Sequence, residues 1–381
     1  MKILFHYESL AIGGQQTQTL CILEEIYKRN LDELYFIYHY DDDLAKEYTR
    51  YCTLLKIPVV LKSKDYVFKP WKILKITYLI IKFLKKHKIE IIVSGSGLGS
   101  LICGIASRIC KIGHYRIIGC SLAQVEKTLY KYYSIFKIDK LIDGYFGWNE
   151  VFNELRVKGV KEGKFIYTVL AVNTSFFCPL TPIEIYQLKR KYKLPDGKII
   201  IGWVGRISYD MQIKYTIEMC RLLLQQGFDK FHLLIVGGGS WFKKMKEKLD
   251  EYNLTDKATL TNWVRPNEVN SLLNCMDVVP LLEEDPQGGS IVREAMACGK
   301  IALSVNGKSG MQASFMKGDT SILVEREKFL ENAAVEIIML YNNPTLIKEK
   351  GINARLYAQN KLSFTSLVDT ILFTLYKDKI A

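Results

Sequence analysis

The sequence predicts an α/β protein built from two doubly wound domains. Three observations predict it. Short apolar runs of strand length alternate with helical patterns from end to end, the order that winds a parallel sheet with helices on both faces. Several of those runs are apolar throughout, as strands buried on both faces are. The 381 residues exceed one ordinary core and suit two domains of about 150–200 residues each.

In the first half the strand candidates are KILFHYE, LYFIYHY, IEIIVSG, YRIIGCS, LIDGYFGW and FIYTVLA. In the second they are KIIIGWVGRI, FHLLIVGGG, ATLTNWV, DVVPLL, KIALSVN and SILVE. Helical stretches such as TQTLCILEEIYKRN and WFKKMKEKLDEY stand between them. Polar residues with Pro179 and Pro182 break the pattern in LAVNTSFFCPLTPIEIY, which places the domain boundary there. The expected domains are residues 1–172 and 173–361, with a C-terminal helix at about 362–381 returning to the first. Two such domains on a short linker are expected to leave a ligand-binding cleft.

Composition narrows the function classes. Apolar content of 49% and charged content of 24% are those of a globular chain. The nine cysteines stand singly, with no metal-ligand spacing, which suits a reducing compartment. The start, MKILFHYESLAIGG, is broken by His6 and Glu8 and does not read as a signal peptide. The apolar run ITYLII stops at Lys82, short of the ~20 residues a membrane span needs. The expected location is cytoplasmic, free or held on the inner face of the membrane. Net charge is +13, and 26 basic against 17 acidic residues fall in the first 170. Nucleic acid, an anionic membrane, a phosphorylated substrate or a lysine-rich composition would each account for that surplus. No nucleic-acid recognition motif is present, so that partner is not expected.

Four glycine-rich turns carry the candidate chemistry. GGQQTQ, with Gly13 and Gly14, follows the first strand and opens a helix. It lacks the dinucleotide fingerprint, and a ligand contact or a tight turn explains it equally. GWVGRIS puts Gly205 and Arg206 at the carboxyl end of a strand, the ligand edge of such sheets, where an arginine clamps phosphate. IVGGGS is a base or ribose approach, or a turn. The strongest is GGSIVREAMACG. Gly288 and Gly289 free the backbone, Ser290 reads as the N-cap, and the helix runs through Ile291 and Val292 toward Gly299. Its unpaired N–H groups and positive dipole end would seat a diphosphate. Glu294, one turn in, would accept hydrogen bonds from ribose hydroxyls.

The series VGRIS, LLIVGGGS, LTNWVRPNEVNSLLNCMDVVPLL and GGSIVREAMACGKIALS, in that order, resembles the retaining glycosyltransferases of family 4, of GT-B architecture. LAVNTSFFCP and GGQQTQ are similar to that family's linker and N-terminal glycine loop. The likeness is close over residues 165–325 and only in outline before them. It implies a donor-binding second domain and an acceptor-binding first domain. It implies a UDP- or GDP-sugar as substrate, no cofactor and no metal, and a saccharide or lipid-linked saccharide as acceptor in surface polysaccharide synthesis. Arg206 and the helix start would neutralise the leaving diphosphate; Glu294 would hold the ribose.

The chain departs from the family at three places. Pro286 stands where the family has a glutamate eight residues before Glu294, leaving Asp285 or Glu284 as the catalytic carboxylate. Met211 replaces the lysine five after Arg206, leaving Lys214 to serve. Cys120 and Ser121 stand where a histidine is usual. A non-catalytic GT-B homologue that binds a nucleotide sugar or a partner enzyme is the alternative reading. Asp41–Asp43 fits the D-x-D pattern of metal-dependent sugar transferases, or an exposed acidic loop. Lys69–Lys88 has helical periodicity, with Lys72, Lys75, Lys82 and Lys86 opposite Ile73, Ile76, Ile80, Phe83 and Leu84. That helix, with KTLYKYYSIFK, is either a solvated basic face or an attachment to anionic lipid.

Overall fold

A computed structural model describes residues 1–10, 14–40, 44–59, 70–95, 97–118, 137–168, 170–208, 213–284, 289–308 and 311–380. The chain forms two compact units, Met1–Leu170 with Phe364–Ala381, and Ala171–Ser363.

Among the described residues the first unit holds seven strands: β1 (Lys2–His6), β2 (Glu33–Tyr38), β3 (Thr53–Lys56), β4 (Ile91–Ser94), β5 (Gly113–Ile117), β6 (Gly144–Gly147) and β7 (Phe165–Tyr167). They pair in the order β3-β2-β1-β4-β5-β6-β7, all parallel. Ile3, Leu4 and Phe5 of β1 are all inaccessible to water, which requires cover on both faces and explains an unalternating apolar run. The helix Pro70–His87 sinks Ile76, Ile80, Phe83 and Leu84 into that cover. The last helix, Phe364–Ile380, lies against the helix Gly14–Lys28. Asp369 there receives Arg29 at 2.6 Å, and the Tyr376 hydroxyl donates to Asp32 at 2.7 Å.

β3 was not among the sequence candidates. It is a four-residue edge strand, half-exposed along its length, so it carries neither a long apolar run nor a clean alternation.

The second unit holds β8 (Ile199–Val204), β9 (Phe231–Val236), β10 (Ala258–Leu260), β11 (Val278–Leu281), β12 (Ile301–Asn306) and β13 (Ser321–Glu325). The order is β10-β9-β8-β11-β12-β13, again all parallel. Ile199, Ile201 and Trp203 face one core and Ile200 the other, as alternation along a strand requires. The strand order reverses between β8 and β11, which is where such sheets bind ligands, beyond the carboxyl ends. Pro280 lies within β11 and gives the ladder no N–H. Among the described residues β11 registers with β8 at Val278↔Ile201 alone, whereas β8 and β9 register at six positions.

The helix Pro182–Lys191 starts this unit with a full capping box. The Glu184 N–H donates to Thr181 Oγ1, Glu184 accepts from the Thr181 N–H, and Pro182 occupies the first turn. The eight described cysteines are all free thiols.

Candidate functional site

The site assembles from two turns at the carboxyl edge of the second sheet. The first follows β8. The Gly205 N–H donates to the Val236 carbonyl at 3.0 Å, and the Ile207 N–H to the Gly238 carbonyl at 2.9 Å. The turn after β8 is thus tied to the turn after β9. Glycine makes that approach possible. Gly237 has φ +133°, and a Cβ there would stand 1.9 Å from the Gly205 oxygen. A Cβ on Gly239 would stand 2.2 Å from the Ile207 oxygen. The IVGGGS run therefore has a packing reason: it fixes the backbone on either side of Arg206. Arg206 itself is exposed, with no ion pair or hydrogen bond to any described residue. Lys214, in the first turn of the helix Ile213–Gln225, is half-buried with its ammonium 4.9 Å from the Tyr215 ring centre. Met211 lies outside the described residues.

The second turn follows β11, the neighbour of β8. Leu282 is fully buried, Glu283 half-buried and Glu284 exposed. Glu284 accepts from Arg326 Nη2 at 3.0 Å, an exposed pair of the kind that contributes little stability. Both residues line a shallow groove of about 370 Å³ with Lys328 and Phe329. Asp285, Pro286 and Gly288 lie outside the described residues, as do Gly13, Cys120, Ser121 and Asp41–Asp43. Gly14 begins the helix Gly14–Lys28.

Gly289, not Ser290, is the N-cap of the helix Ser290–Ala297. The reason is backbone geometry. Gly289 has φ +77°, which only glycine adopts cheaply, and a Cβ there would meet Leu281 at 2.4 Å. A serine cannot take that place, so Ser290 becomes the first helical residue and is exposed. Val292 is fully buried and Ile291 packs on the same core, so these two offer the site backbone and not side chain. The first N–H groups of any helix lack intrahelical acceptors. Glu294 is half-buried one turn on and accepts a hydrogen bond from Ser290. Burial raises its carboxyl pKa, opposed by the Arg293 charge and the Ser290 bond.

Arg293 is a residue the sequence reading passed over. It is 2% exposed, its guanidinium lies 5.6 Å from the Phe315 ring centre, and burial pushes its pKa down to about 10. Nε and Nη1 have no acceptor among the described residues. The available signal was an arginine set between inward apolar positions in IVREAMA.

In the first unit the matching switch point lies between β1 and β4. The Tyr7 ring covers Gly95 there, so closely that a Cβ on Gly95 would stand 1.7 Å from it. Buried polar groups sit beneath. His6 and His39 meet at 3.0 Å, and Ser94 Oγ contacts His114 Nε2 and Ser100 Oγ, each at 2.9 Å.

Chemically, the second unit offers a helix start, an exposed arginine in the turn after the adjacent strand with no partner among the described residues, and a carboxylate one turn inside. That combination suits an anion joined to a polyol. Residues 185–357 match the model of the family Glycosyl transferases group 1. The Anabaena protein HepE, solved with UDP and also with UDP-glucose, superposes on this chain with a TM-score of 0.81 in its UDP complex. The superposition covers 99% of this chain and 100% of that one at 15% identity, and at such identity it speaks for the fold.

The fold is GT-B.

The second unit is the part that carries the group 1 sequence match. Over nearly the whole chain the similarity is to the capsular polysaccharide biosynthesis glycosyltransferase CapM of Staphylococcus aureus, 25% identical over 354 residues, 90% of this chain and 88% of that one. A shorter segment is 33% identical to the 2-deoxystreptamine glucosyltransferase of Streptomyces kanamyceticus over 121 residues, 31% of this chain and 30% of that protein. Among the described residues no three His, Cys, Asp or Glu side chains gather as a metal site, and no helix is long and apolar enough to cross a membrane.

Proposed function

We propose that this GT-B protein transfers a sugar, with retention and without a metal, from a UDP- or GDP-sugar to a saccharide or lipid-linked saccharide in surface polysaccharide synthesis. The observation that carries the reading is the pairing of exposed Arg206 after β8 with the Gly289-capped helix start after β11, at the switch point of a sheet whose sequence matches group 1. Breaking a glycosyl–phosphate bond builds negative charge on the leaving diphosphate. Fixed donors and a cation stabilise that charge in the transition state. Glu294 holds the ribose, and Lys214 adds a second cation. Asp285 or Glu284 supplies the carboxylate that faces the transferred sugar; of the two, Glu284 accepts from Arg326 in an exposed pair that a substrate can displace. The UDP and UDP-glucose bound to HepE and the capsular role of CapM support donor and pathway.

The acceptor is lipid-linked in this reading, and the helix Pro70–His87 faces the membrane. Trp71, Leu74 and Tyr78 are 60%, 70% and 64% exposed beside exposed Lys75, Lys82 and Lys85. Each lysine near an anionic surface contributes about 1 kcal/mol.

The test is a panel of UDP- and GDP-sugars with the purified protein, read by donor consumption and by calorimetry. One donor is expected to turn over. Arg206→Ala should weaken UDP on the order of tenfold, the loss of one charged hydrogen bond, and leave uridine unchanged. No binding to any donor, with Glu294→Ala indistinguishable from the parent, sinks the proposal.

A further inference from the structure

The second unit has a cavity at the opposite edge of its sheet. Its lining includes Asp277, immediately before β11, and Lys300, immediately before β12. It therefore opens at the amino ends of the strands, away from Arg206 and Gly289. Its volume is about 400 Å³, within the roughly 300–1,000 Å³ of pockets that take small organic ligands. The walls are mostly apolar. Ile352 and Leu356, from the helix Pro344–Lys361, remain 52% and 51% exposed at its edge, and Ile185 faces them from the helix Pro182–Lys191.

The charge inside is unbalanced. Lys300 is half-buried and lines the cavity, and its amine has no hydrogen bond or ion pair to any described residue. Enclosure lowers its pKa, an effect opposed first by Asp277. Asp277 is partly committed elsewhere, accepting from the Ile200 N–H at 2.7 Å. Arg355 adds a second cation, held by carbonyls on Nη1 alone. An enclosed ammonium without an acceptor is costly, and an anion brought in on an apolar body removes that cost while covering Ile352 and Leu356.

We propose that this cavity binds a small apolar monocarboxylate, its carboxylate on Lys300 and its chain along Ile185, Ile352 and Leu356. The site is separate from the donor site and stands or falls without it. Two neighbouring glycines join the walls of the cavity. A Cβ on Gly351 would stand 2.4 Å from the Gly299 oxygen, so the helix Pro344–Lys361 crosses the Gly299 turn at backbone contact.

The experiment uses the full chain and anilinonaphthalene sulfonate, a fluorescent apolar monoanion, as reporter. Decanoate and its neutral counterpart decanol compete for it, with and without saturating UDP. Saturable displacement is expected, with decanoate stronger than decanol on the order of tenfold, as one charge-assisted hydrogen bond implies. Lys300→Met should bring the two competitors level, Lys300→Arg should preserve the preference, and UDP should leave displacement unchanged. The proposal is overturned if decanoate does not displace the reporter, if decanol matches it in the parent, or if the preference survives in Lys300→Met. Displacement of the reporter by UDP also overturns it. Thermal melts confirm that each variant is folded, and Lys300→Arg decides the matter if Lys300→Met is not.

Discussion

His114 makes the first unit acid-sensitive by a calculable amount. It lies in β5, fully buried. Its Nδ1 is 2.8 Å from the Leu141 carbonyl, which can only accept, so Nδ1 carries the proton and Nε2 accepts from Ser94 at 2.9 Å. Burial lowers its pKa to about 4. The unfolded chain, near 6.5, binds the extra proton first. Stability is therefore complete above about pH 6.5, falls as pH drops through that value, and levels off below about 4. Linkage sets the loss at about 2 kcal/mol by about pH 5 for this one group. Urea unfolding at neutral pH and at about pH 5, on the parent and on His114→Asn, isolates it. The asparagine amide still donates to Leu141 but does not titrate, and it also relieves His6 of the opposing His114 charge, a change of the same sign as the one measured. The parent should lose about 2 kcal/mol more than the variant. Equal losses would refute the buried, neutral histidine.

Glu294→Gln keeps the shape of the helix start and removes the charge that ribose hydroxyls donate to; UDP affinity should fall about tenfold to a hundredfold, measured by calorimetry, while the melting temperature stays put. Gly237→Ala should cost about 1–3 kcal/mol from backbone conformation alone, or about 2–4 °C in melting temperature per kcal/mol, and should weaken UDP as well, because the displaced backbone is that of Gly205. A stable variant with parent-like UDP binding would show that the two turns are not coupled. Vesicle sedimentation checks the Pro70–His87 helix: Lys75→Glu with Lys82→Glu should abolish binding to anionic vesicles and leave neutral vesicles unaffected.

Much of the fold was legible because burial leaves a local mark. Twelve of the strands announced themselves as apolar runs, while β3, half-exposed at an edge, had nothing local to announce. The helix start was legible to within one residue. Its N-cap shifted from Ser290 to Gly289 because the deciding facts, a left-handed φ and the proximity of Leu281, are tertiary. The IVGGGS run shows the same limit, since its glycines answer to the backbone of another turn, Gly205 to Ile207, well before them in sequence. Arg293, the histidine and serine cluster around Ser94, and the lysine at the cavity were illegible for a related reason. Each is defined by what encloses it, and enclosure comes from elements far apart in the chain. The ion pair of Glu284 with Arg326 joins two loops that no spacing rule connects.

The span of the sequence match and the span of the folded unit differ, and Arg355 shows by how much. Its Nη1 donates to Thr174 at 3.0 Å, Phe177 at 2.8 Å and Ala297 at 2.7 Å, so one guanidinium fastens the entering chain to the end of the Gly289 helix. The Val172 N–H reaches the Leu362 carbonyl at 2.7 Å, and Val172 bridges Ser363. A fragment of the second unit trimmed to the matched residues 185–357 would keep the arginine and lose two of its three acceptors, together with the bridge that closes the unit. Anyone excising this half for crystallisation or ligand screening should begin at Ala171 and end at Ser363.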